Sequence, residues 1–208
     1  MKRLILLAAA CCAATACADA PRPADYVNPN LGSIHSRWFF YTPAAEPFGM
    51  AKLGPSTNGS YTSPSGWEAV GYEDGHTSIE GFPCLHEFQV GGVLLMPTVG
   101  RQDYHAMGKK SQQMAYASPF SHGREKAEPG YYSVFLDRYG VQAELTSTKR
   151  AAIHRYTFPK SGKAGFILDL DYSLQRQKNE EMKLEVISDT EIRGHKKTVY
   201  WAFDQYIN

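Results

Sequence analysis

The chain is poor in cysteine. It has four, and Cys11, Cys12 and Cys17 crowd its beginning, so only Cys84 stands in the body and no disulfide framework is available. An excess of charge is missing too. The 22 Lys and Arg nearly match the 21 Asp and Glu, for a formal net charge of +1. No basic run exceeds Lys109-Lys110 or Lys196-Lys197, which excludes nucleic acid as a partner and leaves nothing to hold an acidic membrane surface. The apolar run from Leu4 to Ala14 is too short to cross a bilayer as a helix, and nothing later exceeds it. There is no Gly-rich phosphate loop and no Gly-x-Ser-x-Gly elbow. Helical periodicity is scarce. Ser173 to Met182 is the sole candidate helix, and it is so polar that it reads equally as a loop.

Residues 1-17 read as a secretory signal peptide. Lys2 and Arg3 precede the apolar run, and Ala13, Ala14, Thr15 and Ala16 follow it. Two cleavages compete. Ala14-Thr15-Ala16 suits ordinary signal peptidase, while Ala14-Thr15-Ala16-Cys17 resembles a lipobox that would make Cys17 the lipidated residue. Residues 18-25 are a Pro- and Ala-rich tether. The expected location is the periplasm of a bacterium, or its outer membrane or exterior, with a Cys17 lipid as the only membrane contact.

What the chain has is strand signal. Aromatic residues make up 12%, with 13 tyrosines, a content that suits both pleated faces and sugar-binding platforms. Three consecutive strands are expected, over Ala127 to Val134, Ala143 to Thr148 and His154 to Pro159. Tyr131 to Leu136 alternates, Asp137-Arg138-Tyr139-Gly140 is a turn, and Val141, Ala143 and Leu145 then share a face. Val93 to Met96 is a continuous apolar run ending at Pro97, as in a strand buried on both faces. Phe166 to Leu170 is another strand, and Leu184, Val186 and Thr190 to Arg193 form a hairpin around Ser188-Asp189. Tyr26 to Ser65 is loop-rich, punctuated by Pro and Gly, and is expected either to be functional or to pack on a sheet. Short strands at regular spacing predict an all-β antiparallel sandwich over 26-208.

The densest chemistry lies in Cys84-Leu85-His86-Glu87-Phe88-Gln89, set between glycines. On extended backbone His86 and Glu87 point to opposite sides and do not act on one atom. Zinc at Cys84 and His86 lacks two further ligands. His86 is thus either a hydrogen-bonded loop histidine or a ligand contact. Trp67 beside Glu68 pairs a sugar-stacking face with a hydroxyl acceptor, or else fills a loop. His35 and Arg37 sit in the loop region, with Arg37 a donor to hydroxyls or a solvated charge. Asp169 and Asp171 lie two apart on one strand face, so they cannot straddle a glycosidic bond and are read as strand-end and turn residues.

An ordered set of segments resembles the N-terminal domain of glycoside hydrolase family 92, the calcium-dependent exo-α-mannosidases. It runs through Tyr26-Val27-Asn28-Pro29, Ala45-Glu46-Pro47-Phe48-Gly49-Met50, Gly71-Tyr72 and Ile79-Glu80-Gly81-Phe82. Val93-Leu94-Leu95-Met96-Pro97-Thr98-Val99-Gly100, Phe120-Ser121-His122, Glu125-Lys126-Ala127 and Pro129-Gly130-Tyr131-Tyr132-Ser133-Val134 continue it. Ala143-Glu144-Leu145-Thr146 and His154-Arg155-Tyr156-Thr157-Phe158-Pro159 close it. The resemblance implies a β-sandwich packed on an (α/α)6 barrel that carries the acid, the base and the calcium ligands. It follows that this chain holds no catalytic residue and no metal ligand, and that its partners are mannose-containing glycans and that barrel domain. Its expected substrate-side residues are His86, Glu87, Trp67, Glu68, His35 and Arg37. Where many members have Ser-His-Thr-His-Leu-Ser-Gly, this chain has Pro83-Cys84-Leu85-His86-Glu87-Phe88-Gln89, so only His86 maps to a family histidine and the linkage preference stays open.

Val199, Trp201 and Phe203 alternate with Tyr200, Ala202 and Asp204, and an aromatic strand end is a pairing hazard. The domain is therefore expected to continue past Asn208 and the isolated chain to be inactive. The alternative expectation is a free-standing sandwich that binds glycans without cleaving them.

Overall fold

The computed structural model describes residues 20–34, 41–57, 71–86, 91–102, 115–160, 162–174, 178–198 and 203–207, the last stretch by its backbone alone. Among the described residues twelve strands follow in chain order: β1 (Ser56–Thr57), β2 (Ser78–Pro83), β3 (Leu94–Val99), β4 (Ser118–Pro119), β5 (Glu125–Glu128), β6 (Tyr131–Leu136), β7 (Val141–Ser147), β8 (Ala152–Thr157), β9 (Ala164–Asp169), β10 (Asn179–Ser188), β11 (Glu191–Thr198) and β12 (Phe203–Ile207). Every pairing is antiparallel. The all-β sandwich expected from the sequence is what the chain forms.

One sheet is the meander β5-β6-β7-β8. Its centre is the β6–β7 hairpin, in which Tyr132, Val134 and Leu136 and the facing Val141, Ala143 and Leu145 are all buried. The turn closes where Gly140 donates its N–H to the Leu136 carbonyl with φ at +63, a conformation that costs glycine little. The opposite face is wetter, and there Arg155 on β8 forks onto Glu144 on β7 at 2.5 and 2.7 Å.

The stretch Ala127 to Val134, expected as one strand, is two. Pro129-Gly130 breaks it, with Gly130 at φ +82, and β5 folds back on β6 with Glu128 opposite Tyr131. Proline sets one turn torsion and glycine supplies the positive one, so the pair turns the chain inside an otherwise strand-forming run. A second correction concerns Ser173 to Met182. Asn179 to Met182 opens β10 rather than a helix, because pairing with Lys197 and Thr198 on β11 satisfies its backbone.

The other large sheet is β1-β2-β3-β9, with β4 also on β2. β3 pairs with β2 only through Leu94 and Leu95 and runs on past Pro97 to Val99 against β9. It leaves β2 before Pro97, which cannot donate to a ladder. The two sheets enclose one core. Ile79, Phe82, Leu94, Met96 and Ile167 from this sheet meet the β6–β7 residues, and Tyr41, Ala44, Ala51 and Leu53 from the loop-rich first half fill in beside them. Much of 41–57 is therefore packed on the sandwich, whereas 26–34 is mostly exposed, with Ser33 alone buried there. Aromatic rings stitch the seam, with Phe82 against Tyr156 at 6.1 Å and Tyr156 against Phe166 at 5.6 Å.

The sheet β10-β11-β12 lies outside this core. Among the described side chains of β10 and β11 only Lys196 and Thr198 are buried. Lys196 donates its Nζ proton to the Tyr172 carbonyl at 2.5 Å, and Thr198 donates to Asn179 Oδ1 at 2.8 Å. Asp169, at the end of β9, accepts from the Tyr116 hydroxyl at 2.7 Å and from the Asp171 amide at 2.9 Å, the strand-end role expected of it.

Candidate functional site

Of the residues expected at a substrate, His86 lies within the described structure. Glu87, Trp67, Glu68, His35 and Arg37 lie outside the described residues, as do Trp38, Cys17 and the whole segment read as a signal peptide.

His86 follows β2 by three positions and is wholly buried. Two glycines make room for its ring. A Cβ on Gly54 would stand 3.4 Å from Nδ1, and one on Gly71 would stand 2.9 Å from Cδ2 and 3.0 Å from Nε2. Neither ring nitrogen has a hydrogen-bond partner among the described residues. Burial pushes its pKa down to about 4, against a smaller upward pull from the Lys52 backbone, so the ring is neutral at pH 7. A neutral imidazole carries one donor and one acceptor, and among the described residues only the Lys52 backbone acts on the ring. A hydroxyl, which can both accept and donate, is the group that would satisfy it.

The floor beside this ring is tied down by β1. Thr57 donates its N–H to the Gly71 carbonyl at 2.7 Å, and its hydroxyl meets His76 Nδ1 at 2.8 Å. His76 Nε2 stands 3.7 Å from Glu73. Ser56 bonds the hydroxyl of the buried Tyr172. Glu80 is fully buried in the middle of β2.

Cys84 meets a histidine other than its sequence neighbour. Its sulfur lies 3.7 Å from Nε2 of His154, whose Nδ1 is bonded to the Tyr156 hydroxyl at 2.8 Å. The residue is exposed, yet protein packed around its sulfur pushes the thiol up to about 11, and burial pushes His154 down to about 4. Both groups are neutral, and the thiol is no nucleophile. Among the described residues no three of His, Cys, Asp and Glu gather as a metal would need.

A third cluster escaped the sequence reading. The Glu125 side chain, 6% exposed, receives His122 Nδ1 at 2.6 Å, the Tyr132 hydroxyl at 2.6 Å and the Tyr72 hydroxyl at 3.1 Å. Burial pulls His122 down, but the hydrogen bond and charge of Glu125 and the nearby Asp74 outweigh it and raise its pKa. The available signal was His122-x-x-Glu125 across a turn, a spacing that brings the two side chains together on a 3-10 helix. A surface depression on the outer hairpin, lined by Lys183, Glu185, Arg193, Gly194 and His195, contains none of the candidate residues.

Comparison with known proteins follows the same outline. The family model described as the glycosyl hydrolase family 92 N-terminal domain matches residues 26–207. A solved family GH92 alpha-mannosidase from Bacteroides thetaiotaomicron superposes with a TM-score of 0.76 at 30% identity, over 91% of this chain and 25% of its own. Its complex with mannoimidazole gives 0.74 at 31%, over 88% and 24%. A family GH92 inverting mannosidase from the same species gives 0.61 at 24%, over 85% and 23%, a likeness of fold. A protein described as an uncharacterized secreted glycosidase, from the fungus Arthroderma benhamiae, is 29% identical over 140 residues, which is 64% of this chain and 17% of the relative. The chain thus spans about a quarter of the length of the solved relatives.

Proposed function

The chain belongs to glycosyl hydrolase family 92, as the N-terminal domain of that family, and from this premise we propose that it is the sandwich half of an α-mannosidase. In this reading it lends loops to a mannose pocket whose acid and base come from further polypeptide. The observation that carries the reading is a matching fold over 91% of this chain and only 25% of a family GH92 alpha-mannosidase. A relative of the same fold in complex with mannoimidazole supports the choice of sugar. Physical chemistry supports the division of labour. Cleaving a glycoside takes two carboxyl groups on opposite sides of the scissile bond. The clustered carboxylates of the described residues, Glu125 and Asp169, are engaged by tyrosine hydroxyls within the sandwich.

Within this proposal His86 is the sugar-side imidazole of the described residues, since a neutral ring can both donate to and accept from a sugar hydroxyl. Trp67 would stack on a sugar ring, and Arg37, His35, Glu68 and Glu87 would bind hydroxyls. Calcium is part of the proposed enzyme. Its ligands are assigned, by the family resemblance, to the catalytic polypeptide, and no step is routed through it here. Export from a bacterium, either soluble or anchored through Cys17, is also part of the proposal, and a secreted glycosidase relative supports export.

The experiment is kinetic. In the longer enzyme carrying this domain, His86→Ala, Trp67→Ala and Arg37→Ala should each lower kcat/KM on α-mannosides by about tenfold to a hundredfold, the loss of one or two polar contacts or, for Trp67, of a stacking face. Unchanged kinetics with all three variants folded would remove this domain from the pocket.

A further inference from the structure

We propose that Glu125 is a positioning residue, a single buried carboxylate that fixes a tyrosine stack and through it the place of the Asn28–Ser33 turn. The carboxylate stands at the start of β5, its side chain 6% exposed. Oε1 accepts from Tyr132 at 2.6 Å and Oε2 from His122 Nδ1 at 2.6 Å, while Tyr72 reaches both oxygens at 3.2 and 3.1 Å. Three donors from three parts of the chain converge on one group. Tyr132 is fully buried and Tyr72 nearly so, so each needs this acceptor.

The effect extends beyond the cluster. The Tyr72 ring stacks on Tyr41 with centroids 3.9 Å apart and planes 16° from parallel, and Tyr132 meets Tyr41 edge-on at 6.2 Å. Tyr41 then donates its hydroxyl to Asn30 Oδ1 at 2.6 Å. Asn30 belongs to a turn in which its N–H bonds Asn28 Oδ1 at 3.0 Å and its carbonyl receives the Ser33 N–H at 3.1 Å. A second route closes the loop, since Asp74, two residues after Tyr72, donates its N–H to the Ser33 carbonyl at 3.0 Å. The turn is held by the ring stack on one side and by the Tyr72–Asp74 backbone on the other, and both trace to Glu125. Beyond Ser33 the chain continues to His35 and Arg37. If the mannose-pocket proposal holds, this is how Glu125 would act on the described turn that leads to them.

His122 is the titratable donor of the cluster. Its Nδ1 meets Glu125 on β5, Asp74 on the 72–76 loop also acts to raise its pKa against burial, and the Phe120 ring lies against it at 5.0 Å. The nearby cations are engaged elsewhere. Arg124 pairs with Asp137 and caps the Phe135 ring at 4.0 Å, and Lys126 pairs with Glu128 at 2.8 Å. Glutamine at position 125 would keep the shape but lose the charge and half of the acceptor capacity.

The test uses the 208-residue chain, compared with Glu125→Gln by amide hydrogen exchange and by NMR titration of His122. Exchange of the Ser33 and Asp74 amides should quicken about tenfold, the loss of roughly one hydrogen bond's net worth. The β6–β7 hairpin amides should keep their protection, and His122 should lose its upward shift. Unchanged exchange at Ser33 and Asp74, or equal loss everywhere, overturns the assignment. Should Glu125→Gln fail to fold, Tyr41→Phe removes only the hydroxyl on Asn30, and the same quickening at Ser33 is required of it. These readouts need no sugar. A turn that loosens in Glu125→Gln while the mannoside KM of the longer enzyme stays unchanged would uphold the positioning role and count against the glycan reading alone.

Discussion

Gly71 and His86 fit so closely that a methyl group on the first would stand 2.9 Å from Cδ2 of the second. Gly71 also holds φ at +74, so two independent costs meet at one position. Gly71→Ala should destabilise the chain by about 2–4 kcal/mol, one part for the backbone and the rest for displacing a packed ring. Gly130→Ala supplies the contrast. Its φ is +82, but nothing lies within 4 Å of the point where a Cβ would stand, so only the backbone cost of about 1 kcal/mol applies. Urea unfolding of the two variants measures the difference, and equal losses would mean that His86 does not fill the slot.

Acid should weaken the fold through its buried imidazoles. His86 and His154 are each pushed down by burial to about 4 from the ordinary 6.5. Such a group contributes stability above pH 6.5 that is lost as pH falls toward 4, because the unfolded chain takes up the proton first. Each is worth about 3 kcal/mol over that window. Denaturant midpoints measured from pH 7 to pH 4 should therefore fall, and His86→Leu should flatten part of the slope. An unchanged slope in that variant would show that the ring is not neutral in the folded chain.

The outer sheet should depend on one lysine. Burial pushes Lys196 down to about 8, against upward pulls from Asp169 and Asp171, and its Nζ bonds the Tyr172 carbonyl. Lys196→Met should speed amide exchange across β10–β11, with a local loss of about 2 kcal/mol, and should leave β6–β7 protected. A uniform loss would mean that the three-stranded sheet and the sandwich unfold as one unit.

The legible parts of the fold were those encoded locally. Tyr131 to Leu136, the Asp137–Gly140 turn and Val141 to Thr146 announce a hairpin because alternation and turn chemistry agree within sixteen residues. Pro129-Gly130, just before this window, does not announce a second hairpin, because Glu125 to Glu128 on its other side carries little strand propensity of its own. β8 shows why residue type alone misleads about faces. Ile153 is 47% exposed while His154 and Tyr156 turn inward, since the register with β7 puts His154 opposite the buried Leu145. The pairing of β3 with β9 joins segments distant in sequence, and no local pattern reports it.

The candidate site divides along the same line. His86 stood out through a cluster of unusual residues, yet the glycines that frame it, Gly54 and Gly71, come from two other loops. The role of Glu125 is not legible locally, because its partner Tyr72 lies 53 positions away. A carboxylate between Arg124 and Lys126 looks like an ordinary surface charge until the fold brings the tyrosines to it.

The most direct measurement is mannose release by the purified 208-residue chain on α-mannosides, with and without calcium, beside the longer enzyme that contains it. The account predicts turnover by the longer enzyme and none by this chain under either condition. Mannose released by the 208-residue chain alone would contradict it, because the opposed carboxyl groups would then have to lie within this sandwich.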